Sequence, residues 1–131
     1  GGEAHARFVQ QLRDACKSDG LAMHWCADTE VLESFLQQMR SWARAPVRQL
    51  KADCVAQSIP MDGVVEKGDL AARLGRAMVW KKMPRKELEA ECTRHQVAAT
   101  VHATVPDSKA SEVLVAKLIA AAYGVGPAAS S

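Results

Sequence analysis

Aromatic side chains are scarce in this sequence of 131 residues, since only 5% of them are Phe, Trp or Tyr. The core must therefore be built mainly from Leu, Val, Ala and Met, with a few tryptophans. Long apolar runs are also absent. The best stretch, Val113 to Ala122, is interrupted by Lys117 and is shorter than the roughly 20 residues that a membrane-spanning helix needs. The sequence therefore predicts no transmembrane segment.

Motifs of catalysis and of metal binding are missing as well. The chain contains no glycine-rich phosphate loop, no GxSxG and no HExxH sequence. Its four cysteines form no CxxC pair, and its four histidines lack the spacing of metal ligands. Its carboxylates occur at spacings typical of solvated helix faces rather than of desolvated acid–base pairs. We therefore expect no enzymatic activity, no metal site and no cofactor.

The start of the chain, Gly1-Gly2, is neither a methionine nor a basic segment followed by an apolar one. We therefore expect a processed product or an expressed fragment, with any targeting segment outside this sequence. The compartment is left open at this stage.

Three of the cysteines are separated by the same interval, because Cys16, Cys54 and Cys92 follow one another at 38 residues. A leucine precedes each cysteine by four residues, and an aliphatic residue follows it by five. These positions are Leu12, Leu50 and Leu88, and then Leu21, Ile59 and Val97. Trp42 and Trp80 keep the same interval, as do Pro46 and Pro84. A fixed period of this length predicts stacked supersecondary units.

Each half of a unit is predicted to be a helix. In the second unit, Val47, Leu50 and Cys54 form one apolar stripe of an amphipathic helix. The fold class is therefore all-α, with three stacked helix–extended loop–helix repeats of about 38 residues. We expect these repeats at residues 5–45, 46–83 and 84–124, followed by an irregular tail at 125–131.

Punctuation residues support these helices. Pro46 and Pro84 suit the first turn of a helix, where a missing N–H costs nothing. Thr29 and Ser111 are predicted N-caps of the second helices in the first and third units. Aligning these two residues requires about six inserted residues between Ala98 and Ser108. Since insertions accumulate in loops, we expect a loop between the two halves of every unit.

The middle unit carries a more specific pattern. Leu50-Lys51-Ala52-Asp53-Cys54 is followed by Ile59-Pro60, by Gly63 and by a charged segment from Glu66 to Leu74. This order resembles a SAP-like motif, and the resemblance extends with weaker matches over about residues 8 to 122. It implies DNA or RNA binding through the nucleic-acid backbone, or a plain protein–protein module. Tandem cysteine-bearing versions are similar to units in some algal organelle proteins, which implies a plastid complex such as a photosystem.

Positive charge is concentrated in the middle of the chain. Residues 40–86 carry 11 basic and 4 acidic side chains, whereas both flanks are net acidic and the whole chain is only +2. Such a belt is typical of a surface that follows phosphates, with strong salt dependence, or of one that meets an acidic protein. Simple solvation is the third interpretation. The candidate partner or phosphate contacts are Arg44, Arg48, Lys51, Lys81, Lys82, Arg85 and Lys86.

The periodic residues are predicted to pack in the core rather than to act as catalytic or metal-binding groups. Free cysteine packs as a small apolar residue, and Trp42 and Trp80 are placed to seal the junctions between units. The predicted repeat core comprises Leu12, Cys16, Leu50, Cys54, Leu88, Cys92, Trp42 and Trp80. Cys26 lies in a loop, and its alternative to a free thiol is a disulfide with Cys16 in an oxidising compartment. Trp25 and Tyr123 have no counterparts and are candidate exposed docking side chains.

These features predict a non-catalytic helical interaction module, a small accessory subunit docked on a larger assembly. The alternative is a SAP-like DNA- or RNA-binding protein that uses the basic belt of the second repeat.

Overall fold

The computed structural model describes residues 2–64, 66–98 and 105–124. This part of the chain contains helices and no strand, so the all-α prediction is confirmed. None of the described helices is both long and apolar enough to cross a membrane. The helices are α1 Gly2–Ser18, α2 Thr29–Arg44, α3 Val47–Ala56, α4 Lys67–Lys82, α5 Arg85–Arg94 and α6 Asp107–Tyr123.

The helices pack as three consecutive pairs, α1 on α2, α3 on α4 and α5 on α6. The second helix of each pair also contacts the next one, so that α2 packs on α4 and α4 packs on α6. Helix α4 is therefore the centre of the fold. That the three pairs are SAP-like copies of one repeat stays a prediction, and the tail predicted at 125–131 lies outside the described residues.

Prolines divide the pairs from one another. Ala45 and Met83, the residues that precede Pro46 and Pro84, have extended backbones, with ψ of 148° and 139°. Since a residue before proline avoids the helical conformation, α2 and α4 end there. Each proline is the N-cap of the next helix rather than a residue of its first turn, and the Pro84 carbonyl accepts the Leu88 N–H at 3.0 Å.

Two predicted N-caps are wrong. The N-cap of α2 is Asp28, whose Oδ1 accepts the Glu30 amide at 2.9 Å, while Thr29 is already helical. Helix α6 begins at Asp107, directly after Pro106, so Ser111 lies one turn inside it. Part of the predicted insertion is therefore helical, and the rest overlaps residues 99–104, which lie outside the described part.

All three first helices end in the same hydrogen-bonding pattern. The amide of an aliphatic residue donates at 2.8 Å to the carbonyl of a cysteine five residues earlier, and the pairs are Leu21–Cys16, Ile59–Cys54 and Val97–Cys92. The residue before each donor has a positive φ: 84° at Gly20 and 58° at both Ser58 and Gln96. This is a Schellman ending, which satisfies the last carbonyls and turns the following aliphatic residue back toward the helix.

The core lies along the inner faces of the pairs and includes residues of the loops. The three periodic cysteines are fully buried, as are Leu50 and Leu88, while Leu12 is half-buried. From the loop after α1, Leu21 and Met23 are also buried. Met23 is a core residue that sequence reasoning missed, because a single methionine in an irregular segment carries no periodic signal.

The first loop approaches α4 closely at Gly75. A Cβ atom there would lie 2.7 Å from the Met39 Sδ of α2 and 3.1 Å from the Leu21 Cδ2 of the loop. Gly75 therefore lets α2, α4 and the loop meet at one point. At Gly68, in the first turn of the same helix, a Cβ would meet nothing within 4 Å.

At the positive-φ position of the three Schellman endings, replacing glycine and introducing glycine should have opposite effects on stability. We expect Gly20→Ala to lower the free energy of unfolding by about 1 kcal/mol, because alanine is strained at a positive φ. Ser58→Gly and Gln96→Gly should raise it by up to about 1 kcal/mol, because that strain is relieved. Urea unfolding measures all three. A stabilising Gly20→Ala would contradict the shared backbone geometry.

The close approach at Gly75 predicts a position-specific effect within one helix. Gly75→Val should lower the free energy of unfolding by about 1–3 kcal/mol, because the new side chain overpacks against Met39 and Leu21. The matched control is Gly68→Ala, which should stabilise the fold by about 0.5–1 kcal/mol, because alanine favours the helix and space is free. Thermal unfolding of both variants provides the comparison.

Candidate docking site

One face of α3 is exposed along its whole length. We call it the α3 face, and it consists of Val47, Arg48, Lys51, Ala52 and Val55, all of them exposed. At 100° per residue these positions fall within about 140° of the helix circumference. The buried Leu50 and Cys54 lie about 130° and about 90° from the centre of this arc, and Val47 at its edge is only about 20° from Cys54. The face holds two cations, three apolar side chains and no acidic residue.

The exposed valines are the unexpected part of this face. Val47 was predicted to lie on the buried stripe of α3, but it is 42% exposed at the first residue of the helix. Val55 is 65% exposed. The exposure of Val55 could have been predicted from the helical spacing, because Val55 lies about 100° from Cys54 and farther from Leu50 around the helix. Among the described residues, the other large apolar side chain with comparable exposure is Phe8 on α1.

The predicted cluster of cations near the end of α4 is divided by internal contacts. Lys81 Nζ donates to Gln57 Oε1 at 2.8 Å, and partial burial lowers the pKa of Lys81. Arg85 binds Asp107 Oδ1 at 2.9 Å and Glu89 Oε2 at 3.2 Å. The hydrogen bond that Arg85 donates to Asp107 is the main reason that the pKa of Arg85 is raised. These two cations therefore serve contacts within the fold.

The remaining predicted cations face solvent. Arg44, Arg48, Lys51, Lys82 and Lys86 are exposed, and no hydrogen bond or ion pair holds them within the described residues. Lys82 borders a hollow of about 270 Å³ between α2 and α4, and the apolar side chains that line it are Phe35, Trp42 and Met78. Five of the seven predicted contact residues are thus available to a partner.

The junction tryptophans are buried, and one of them joins two pairs. Trp80 is 1% exposed, and its indole N–H donates to Glu91 Oε2 of α5 at 3.1 Å. Glu91 is itself buried and also pairs with Arg94. Trp42 is buried at the end of α2. Both indole rings are buried, whereas base stacking requires an exposed aromatic face.

The two candidate docking aromatics are half-buried rather than exposed. The Trp25 indole N–H donates to the Ala22 carbonyl at 2.8 Å within the first loop, and its ring packs against the core. The Tyr123 ring lies 4.6 Å below the Arg73 guanidinium, which in turn donates to the Pro60 carbonyl at 2.6 Å. Both aromatics thus have contacts inside the fold that a partner would have to share.

The cysteines are free thiols in the interior. All four are buried and none is disulfide-bonded, so Cys16 and Cys26 are both reduced here. Burial raises the pKa of Cys16 to about 11, and it also raises the pKa values of Cys54 and Cys92. Within the described residues, no three His, Cys, Asp or Glu side chains are grouped as metal ligands. The raised pKa values make the thiols of Cys16, Cys54 and Cys92 poor nucleophiles near neutral pH.

Comparison with known proteins adds no relative. No protein-family model, no curated protein and no solved structure matches the chain.

The raised thiol pKa values predict a loss of stability at high pH. A thiol in the unfolded chain ionises near pH 9, whereas Cys16 in the folded chain stays protonated up to about pH 11. Because the folded state binds more protons in this window, the free energy of unfolding should fall as the pH rises from 9 to 11. Urea unfolding across this range should give a shallower fall for Cys16→Ala than for the original chain. Equal slopes would contradict the assignment.

Proposed function

We propose that this chain is a non-catalytic interaction module, a small accessory subunit that docks on a larger protein assembly through the α3 face. One observation carries the proposal: Val47 and Val55 are exposed on the same helix face as Arg48 and Lys51. Exposed apolar residues next to charge are a common composition of protein interfaces. The three helix pairs act as the scaffold that presents this face.

The chemistry of the face defines the partner. Its two cations, with Arg44 at the end of the preceding helix, favour an acidic surface. Its valines and Ala52 favour an apolar strip between the acidic groups. The partner is therefore a protein surface with apolar residues flanked by Asp or Glu. The SAP-like resemblance adds a plastid complex, such as a photosystem, as the candidate assembly.

Burial of the aromatics favours a protein over a nucleic acid as the partner. Single-stranded nucleic acids bind through bases stacked on aromatic rings, but Trp42 and Trp80 are both buried. A duplex would be held by phosphate contacts, and Arg85, one of the seven predicted cations, is already paired with the carboxylates of Asp107 and Glu89. DNA or RNA binding therefore becomes the competing outcome of the experiment.

The test is affinity capture of the partner from the native source, followed by measurement of its affinity for the purified chain. Arg48→Gln/Lys51→Gln/Val55→Gln should weaken that affinity by about a hundredfold, if each side chain contributes about 1 kcal/mol. Arg7→Gln/Phe8→Gln, which removes a cation and an exposed apolar side chain from α1, is the matched control and should bind normally. Unchanged thermal unfolding of both variants checks the fold.

Binding to oligonucleotides is the result that would contradict a protein partner. Fluorescence anisotropy with duplex and single-stranded probes at low salt should show no binding stronger than millimolar. Micromolar binding that weakens steeply with salt, and that the α3 variant abolishes, would replace the protein partner by a nucleic acid. Equal loss of the captured protein in the α1 control would refute the α3 face as the docking site.

A further inference from the structure

A groove of about 680 Å³ runs along α6, and none of the residues that line it belongs to the α3 face. We call it the α6 groove. One wall is a continuous face of α6 from Ser108 to Ala120, which spans roughly 18 Å at the helical rise. The other wall comes from the end of α3 with its following loop and from the end of α4. The volume is within the range of sites that hold small organic molecules.

The two ends of the groove differ in polarity. Toward the C-terminal half of α6, the residues of this helix that line the groove are apolar and include Val115 and Ile119. Pro60 and Met83 add apolar side chains from the other wall. Ala116 and Ala120 lie on the same face, and their small exposed side chains keep this part of the groove open. An aliphatic chain that entered here would leave water for a largely apolar surface.

Most polar residues in the lining carry hydrogen-bond donors. They include Lys81, with its ammonium group, and Ser58, Ser108 and Ser111, with their hydroxyl groups. Lys81 uses one of its three N–H groups on Gln57, which leaves two for a ligand. Glu112 is the one carboxylate in the lining, and it is exposed. Donors around a cation next to an apolar surface match an anionic head joined to an aliphatic tail.

We propose that the α6 groove binds a single-chain amphiphile with an acidic head, such as a medium-chain carboxylate. The aliphatic chain lies along Val115 and Ile119, and the carboxylate accepts hydrogen bonds from Lys81 and from the serine hydroxyls. Lys81 is exposed at the groove, and a hydrogen bond from its ammonium group to a carboxylate is stronger than one between neutral groups. The site is independent of the α3 face, so each proposal can fail without the other.

Calorimetric titration of the full chain with sodium decanoate, below its micelle concentration, tests the proposal. We expect saturable binding of one decanoate per chain. Octanoate should bind about fifteenfold more weakly, because each methylene that is buried contributes about a fourfold gain in affinity. Decanol should bind more weakly than decanoate, since it lacks the charge that Lys81 contacts.

Variants locate the ligand and separate its two ends. Ala116→Phe and Ala120→Phe fill the groove and should abolish binding, whereas Ala121→Phe, on an exposed position of α6 outside the lining, should not. Lys81→Met should remove the preference for decanoate over decanol but keep the dependence on chain length. Its matched control is Lys82→Met, and Glu112→Gln should tighten carboxylate binding by removing a repulsive charge.

Several outcomes would overturn the proposal. These are the absence of saturable binding, binding that the filling variants leave intact, and equal affinity for decanoate and decanol. Failure of decanoate together with binding of a synthetic peptide of residues 125–131 would assign the groove to the chain itself. Failure together with a dimeric chain in sedimentation, disrupted by Ala116→Phe, would assign it to a second copy.

Discussion

One backbone hydrogen bond, from an aliphatic amide to the carbonyl of a buried cysteine, controls the course of the chain after each first helix. Leu21, Ile59 and Val97 make this bond with the same length of 2.8 Å. It forces the intervening residue into the left-handed conformation and returns the aliphatic side chain to the core. Cysteine suits the accepting position because its side chain is apolar and small enough to be buried where the helix end packs closely against the core. The regular thiols thus mark a backbone feature rather than a reactive one.

Local signals in the sequence were sufficient to predict the helices, but not the partners of their side chains. The prolines and the apolar stripes act within a few residues, so the ends of α2 and α4 could be found from them. The start of α6 could not be found by alignment with the first unit, because Pro106 determines it locally. The pairing of Arg85 with Asp107 spans 22 residues and arises only when α5 packs on α6. The number of basic residues in the sequence is therefore larger than the number of cations available to a ligand.

The basic side chains of the structure fall into two groups, those with contacts inside the fold and those open to a partner. Lys81 and Arg85 are held by side chains of neighbouring elements, whereas Arg48 and Lys51 remain on an open helix face with Val47 and Val55. Exposed cations by themselves are common on a solvated protein surface, and so are a few exposed valines by themselves. Their combination on one short outer helix distinguishes this surface, because a partner gains both desolvation of apolar area and an ion pair there.

The first loop also touches the third helix pair. His24 Nε2 lies 3.1 Å from Glu87 Oε1, and a cleft of about 220 Å³ has Gly20 and Ala22 on one side and Arg94 and His95 on the other. In an open solenoid, each unit meets only its immediate neighbours, and arrays can grow or shrink by whole units. Here the loop of the first helix pair contacts the third pair directly. The first and third pairs are therefore coupled, and we expect them to unfold together rather than one after the other.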